Sequence, residues 1–152
     1  MSIYLAAPLF NDRERAFNTH LARRMSVLAP VFLPQRDGSL LVDMLTAGVP
    51  QPVAERRVYI QDCQAMAQAD CLVAVLDGAH VDEGVAFEVG FMAALRKPAV
   101  GFQTDVRRAL PSGNNPMLLG ALSTIAHSEE ELLTWLKQNI DFENGVAAPF
   151  GT

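Results

Sequence analysis

Short, continuously apolar runs alternate along the chain with longer stretches in which apolar residues return every three or four positions, the pattern of buried strands feeding amphipathic helices. Residues 3–9, Ile3-Tyr4-Leu5-Ala6-Ala7-Pro8-Leu9, read as a first strand closed by Phe10-Asn11-Asp12. Asp12 is the candidate N-cap of a helix over 13–28, where Ala16, Phe17, Leu21, Met25 and Leu28 recur at helical spacing. Residues 30–34 read as a short second strand, and 35–52, rich in Gly, Pro and Asp, as a loop or lid with a short helix around 40–45. Helical composition returns over 53–69. Cys71-Leu72-Val73-Ala74-Val75-Leu76 is then the strongest strand signal, apolar enough to be buried on both faces. A loop over 77–82 leads into a helix ending near Arg96-Lys97, followed by a fourth strand over 98–102 and a long loop over 103–115. A short helix over 117–121, a fifth strand over 123–126 and a helix capped by Ser128-Glu129-Glu130-Glu131 and running to Ile140 complete the pattern; 141–152 have no regular period.

Strands alternating with helices imply a parallel sheet covered on both faces: an α/β, flavodoxin-like, doubly wound sheet of five strands in one domain spanning 1–152. Ligands of such sheets bind beyond the carboxyl ends of the strands, so Phe10, residues 77–88 and residues 103–115 are expected to share one rim.

Glu88 stands out against this pattern. Val85, Ala86, Phe87, Val89, Phe91, Met92 and Leu95 cover nearly every face of its helix, so the carboxylate is expected to line a cavity rather than meet bulk water, with Gly84 and Gly90 leaving room for a ligand. Near the helix N-terminus the macrodipole favours an anion, and an ionised, poorly solvated carboxylate is a nucleophile suited to attack at an anomeric carbon. The competing reading is a helix-terminal Glu in a salt bridge. Asp82 taken alone reads as an N-cap, Asp62 as a solvated or capping residue inside a helix, and Tyr4 as a buried hydroxyl in need of a partner.

Composition narrows the function classes. Twelve basic against seventeen acidic residues give a net charge of -5, which disfavours nucleic acid or an anionic membrane surface as the main partner. Cys63 and Cys71 lack CxxC spacing and read as reduced thiols of a cytoplasmic protein. The N-terminus has no basic leader, and no run approaches the roughly 18 apolar residues of a membrane span. His20, His80 and His127 are scattered without metal-ligand spacing, and neither GxGxxG nor GxxxxGK[ST] occurs, so no metal, dinucleotide or other cofactor is implied. Asp77 ends the central strand as a phospho-accepting aspartate would, but strand one ends in Ala6-Ala7-Pro8 with no acidic pair for magnesium.

Four segments, Ile3-Tyr4-Leu5-Ala6-Ala7-Pro8-Leu9-Phe10, Asp62 ahead of Ala69-Asp70, Asp82-Glu83-Gly84-Val85-Ala86-Phe87-Glu88-Val89-Gly90 and Asn115-Pro116-Met117, resemble the nucleoside 2-deoxyribosyltransferase family from about Ile3 to Leu122. The resemblance implies that Glu88 is the nucleophile forming a 2-deoxyribosyl-enzyme, that Tyr4 orients it, and that Asp62 and Asp82 face the nucleobase. It implies further that Phe10 packs on the base, that Gly84 and Met117 belong to the substrate site, and that Asn115 completes the site of a neighbouring subunit in a homo-oligomer. The implied substrates are 2'-deoxynucleosides and free nucleobases, exchanged by double displacement without a cofactor. Relatives with the same core hydrolyse nucleoside 5'-monophosphates, using a Gly/Ser/Arg-rich loop after strand one. Here that turn is Pro8-Leu9-Phe10-Asn11-Asp12, a poor phosphate cradle, although Arg107-Arg108 with Ser112-Gly113 are candidates to bind a phosphate across an interface. A non-catalytic nucleoside-binding module is the third alternative.

Overall fold

The computed structural model describes residues 1–108, 110 and 113–140. Five strands, β1 (Ile3–Ala6), β2 (Val31–Phe32), β3 (Cys71–Val75), β4 (Ala99–Phe102) and β5 (Thr124–Ala126), form one sheet in the order β2-β1-β3-β4-β5. Every pairing is parallel. This is the flavodoxin-like order the alternation predicts, with β1 and β3 at its centre and the crossover helices on both faces. The helices are α1 (Asp12–Met25), α2 (Pro34–Asp37), α3 (Leu41–Thr46), α4 (Gln51–Gln68), α5 (Glu83–Ala94), α6 (Pro116–Ala121) and α7 (Glu129–Ile140).

The two-residue period of the strands sorts the core into two layers. Ile3 and Leu5 face α1 and α7, packing with Leu21, Met25, Leu132 and Leu136. Tyr4 and Ala6 point the other way, into a cluster with Met66 of α4 and Val85, Val89 and Met92 of α5. Strand pleat therefore delivers the Tyr4 side chain to the face on which α5 carries Glu88.

Several boundaries shift from the sequence expectation for local reasons. Asn11, not Asp12, caps α1: its Oδ1 accepts from Glu14 N at 3.0 Å, and Asp12 becomes the first helical residue, bonded to Arg15. Within 35–52 the short helix around 40–45 is present as α3, but α2 precedes it, started by Pro34 at a position needing no N–H and held by Asp37 Oδ2 accepting from Leu33 N at 2.8 Å. Helix α5 stops at Ala94, where Arg96 takes the left-handed conformation (φ 57°) and Lys97 N closes on Met92 O at 3.0 Å. The tail over 141–152, and Ser112 of the candidate phosphate loop, lie outside the described residues.

Candidate active site

Glu88 occupies the second turn of α5 and is half-buried. Tyr4, with no solvent exposure on the central strand β1, donates its hydroxyl to Glu88 Oε1 at 2.6 Å across 84 residues of sequence. The partner that a buried phenol requires is thus a carboxylate rather than a backbone carbonyl. Phe32, opposite Tyr4 in the β1–β2 register, stacks on its ring at 5.4 Å and 13°, which limits the swing of the phenol. Glu88 itself makes no salt bridge with a described residue, against the structural reading of its charge.

The electrostatics follow from burial without a cation. Burial pushes the Glu88 carboxyl up to about 7; the Tyr4 hydrogen bond pulls it down, and the nearby charges of Asp62 and Asp82 push it further up. Burial and the neighbouring carboxylates thus oppose the ionisation that the helix N-terminus is expected to favour. Asp62 of α4, also half-buried, is pushed up to about 6 by burial. Burial first, and Glu88 second, raise the Tyr4 hydroxyl far above its ordinary range, so it stays a neutral donor.

Asp82 caps α5, its Oδ2 accepting from Val85 N at 3.1 Å, while lying close enough to disfavour the Glu88 charge. The room at Gly84 is taken by this cap: a Cβ there would stand 2.9 Å from Asp82 Oδ2. Gly90 instead faces open surface. The expectation that α5 is covered on every face also changes, since Phe87 (51% exposed) and Leu95 reach solvent, with Phe87 beside the exposed Tyr59 of α4 at 6.2 Å.

The rim residues hydrogen-bond among themselves rather than to Tyr4 or Glu88. Phe10 is 74% exposed, its backbone N–H fixed by Glu14 Oε2 at 2.8 Å. Asn115 caps α6 through Oδ1, which accepts from Met117 N at 2.9 Å; its Nδ2 donates to no described residue. Met117 is 82% exposed. Asp77 is spent on structure, its carboxylate accepting from Thr104 N, Thr104 Oγ1 and Asp105 N at 2.7, 2.6 and 2.8 Å, a latch between the ends of β3 and β4. Arg107 is paired with Asp105, and Arg108 donates to the carbonyls of Asp105 and Arg107, so both arginines are engaged within their own loop.

Among the described residues, three buried polar side chains escaped the sequence reading: Asn18, Gln103 and Asn114. Asn18 lies three and four positions before Leu21 and Ala22, on the buried face of α1, and that spacing was its signal. Its Nδ2 donates to Pro8 O at 2.8 Å and Gln35 Oε1 at 3.0 Å, tying the turn before Phe10 to α2.

The fold and site together define a parallel α/β domain with a tyrosine-held, poorly solvated carboxylate on the face of the sheet that α5 covers. The nucleoside 2-deoxyribosyltransferase family model matches residues 3–144, and the chain belongs to that family. A nucleoside deoxyribosyltransferase of Limosilactobacillus fermentum is 27% identical, the match covering 97% of this chain and 90% of that protein. Among solved structures, a conserved protein of Enterococcus faecalis V583 superposes with a TM-score of 0.74 at 26% identity, covering 91% of this chain and 98% of the other. The 2-deoxyribosyltransferase of Bacillus psychrosaccharolyticus gives 0.68 at 21% identity over 88% and 90%. The same fold carries a CMP N-glycosidase of Clostridium botulinum, at 0.56 and 17% identity over 90% and 99%.

Proposed function

We propose that this protein transfers the 2-deoxyribosyl group of a 2'-deoxynucleoside from one nucleobase to another through a covalent intermediate on Glu88. The observation that carries this reading is the Tyr4–Glu88 hydrogen bond of 2.6 Å at a carboxylate that burial has brought to about 7. A carboxylate oxygen free of a cation and held by one neutral donor keeps its nucleophilicity. In the first displacement Glu88 forms a bond to the anomeric carbon as the glycosidic C–N bond breaks, the electron pair leaving with the base. Asp62, pushed up to about 6, keeps a protonated fraction near neutral pH, and from that form the departing base nitrogen takes a proton, an assistance typically worth about 10²- to 10⁴-fold. In the second, the incoming base attacks the same carbon, the ester bond to Glu88 breaks, and two inversions give net retention.

Phe10 supplies an exposed aromatic face for the base. The exposed apolar residues Tyr59, Phe87 and Met117 on α4, α5 and α6 support assembly with further copies of the chain, in which Asn115 of one subunit offers its Nδ2 to the sugar hydroxyls bound by another. Mixing Glu88→Ala with Asn115→Ala subunits tests this directly: each is defective alone, and transfer returns on mixing if the site is shared.

The glycosidase of the same fold gives the alternative a footing: hydrolysis of 5'-monophosphates. Free nucleosides fit better, because Arg15, Arg107 and Arg108 at the rim are all engaged by chain carbonyls or carboxylates, while the centre is acidic. The experiment is incubation with 2'-deoxyinosine, with and without adenine, beside 2'-deoxyinosine 5'-monophosphate and a Glu88→Ala variant, with products separated by chromatography. Adenine-dependent 2'-deoxyadenosine, absent in the variant, is the expected result. Hypoxanthine release favouring the monophosphate would move the assignment to hydrolysis. No turnover of these or of pyrimidine nucleosides would leave a binding module.

A further inference from the structure

Gln103 and Asn114 are 2% and 9% exposed, and the chemistry above uses neither. Their side-chain amides face one another: Asn114 Nδ2 donates to Gln103 Oε1 at 2.8 Å, and Gln103 Nε2 donates to Asn114 Oδ1 at 3.3 Å. Gln103 Nε2 also reaches Leu76 O, just beyond β3, at 3.4 Å. The backbone of Gln103 is stitched to the other side of the sheet, its N–H donating to Ala126 O at 2.9 Å and its carbonyl meeting His127 Nδ1 at 2.8 Å. One residue at the end of β4 is therefore fastened to the ends of β3 and β5, and its side chain holds Asn114.

Asn114 is followed at once by Asn115, whose Cα can lie no more than about 3.8 Å away. The rest of α6 is held by apolar packing, with Leu118, Ala121 and Leu122 in the cluster of Val85, Val89 and Met92, while the amide pair is the buried polar tie at its start. Helix α6 has six residues, with Leu118 and Met117 N–H groups bonded back to Asn115 itself, and so short a helix does not hold its own start. We infer that Gln103 and Asn114 are positioning residues, a buried amide pair that fixes the Asn115-Pro116-Met117 segment relative to the sheet and so sets where Asn115 presents its Nδ2. The inference rests on the proposed role of Asn115 for its effect on substrate, but not for the anchoring itself. With both amides turned towards each other, neither is aimed at a ligand. An apolar pair of similar shape would stabilise the interior about as well, so what the amides add is direction.

The test compares three full-length variants, Gln103→Met/Asn114→Leu, Asn114→Asp and Asn115→Ala, with the parent. The double replacement is expected to melt within about 4 °C of the parent. Its KM for a 2'-deoxynucleoside should rise about ten-fold while kcat stays within about three-fold and the pH dependence of kcat/KM does not move, as displacement of a binding group predicts. Amide hydrogen exchange at Met117, Leu118 and Leu119, whose N–H groups donate to Asn115, should quicken about ten-fold, a readout needing no activity. If the double variant does not fold, Asn114→Asp decides the matter, since it turns the 2.8 Å bond into a contact between two oxygens and sets a carboxylate against the amide, and exchange at the same amides should quicken. Unchanged exchange at these amides overturns the anchoring. Faster exchange with unchanged KM, where Asn115→Ala raises KM, overturns its bearing on substrate. Should Asn115→Ala itself leave KM unchanged, the sugar-binding role of Asn115 fails, and the anchor stands or falls on exchange alone.

Discussion

Glu88 and Asn115 stand in regions held by different means. Tyr4 and Glu88 are fixed by regular structure: a central strand paired on both sides, a helix buried along Val85, Val89 and Met92, and 2.6 Å between the two side chains. The rim carrying Phe10, Asn115 and Met117 is exposed and is held by side-chain bonds to backbone and by buried amides. A nucleophile must be placed to a fraction of an ångström, and secondary structure does this by its own rigidity. The rim is built from parts that can be adjusted one side chain at a time, as the proposed completion by a neighbouring subunit would require.

The two regions should therefore fail differently. Glu88→Ala removes the group on which the proposed intermediate forms, and transfer should drop by about 10⁴-fold or more with the variant still folded, checked by product chromatography beside circular dichroism. Residual transfer within ten-fold of the parent would rule out the covalent route. Tyr4→Phe keeps the packing against Phe32 but removes the hydrogen bond that lowers the Glu88 pKa. We expect kcat to fall about 10- to 100-fold and the limb of kcat/KM set by Glu88 to move up. An unmoved limb would mean that Glu88 is not the group titrating.

Asp62→Asn sharpens the same centre. The carboxylates interact, so kcat/KM should be bell-shaped with its maximum between about 6 and about 7, apparent values that belong to the group as a whole. Removing Asp62 should abolish the alkaline limb and leave a single rise with pH set by Glu88, whose carboxyl loses one of the charges that push it up. A retained alkaline limb would assign the proton donor elsewhere.

The sequence made the centre legible and the rim only partly so, for a physical reason. Glu88 could be singled out because α5 is so apolar that one carboxylate in it demands an explanation, and the strand alternation that puts Tyr4 on the same face is a property of the pleat. The five strands and the flavodoxin-like class of the sheet followed from apolar runs, helical spacing and length. What periodicity could not convey were contacts between residues far apart in sequence. Gln103 reads as the first polar residue after a strand, and only the fold shows that it is 2% exposed and paired with Asn114. Asp77 looked available at a strand end until Thr104 and Asp105 were found on it. The N-cap of α1 slipped by one residue because Asn11 and Asp12 are both good caps, and local pattern cannot choose between them.

Stability gives a weaker contrast. The Glu88 carboxyl is raised from 4.5 to about 7 by burial, so the folded state holds a proton there that the unfolded chain has already lost. Its stabilising contribution is complete below about 4.5 and disappears as pH rises through about 7. Glu88→Gln, neutral throughout and able to accept from Tyr4, should therefore melt above the parent at pH 8, by about 1 kcal/mol after allowing for partial exposure, and match it near pH 5. Equal melting curves at pH 8 would show that the charge is better solvated than its neighbours imply.

The smallest effect lies at the other end of the same helix. Arg96 adopts φ 57° to end α5, with its N–H on Ala93 O and Lys97 N–H on Met92 O, both at 3.0 Å. For a residue with a Cβ that conformation costs about 1 to 2 kcal/mol, and glycine avoids it while losing some of the gain to a freer unfolded chain. Arg96→Gly should raise the urea midpoint by the equivalent of about 0.5 to 1 kcal/mol with an unchanged slope. Because the substitution tightens the carboxyl end of α5, far along the helix from Asp82 and Glu88, kcat/KM should be unaltered. A gain in stability accompanied by lost activity would mean that the centre needs motion of α5, and that the division between a rigid centre and an adjustable rim is drawn in the wrong place.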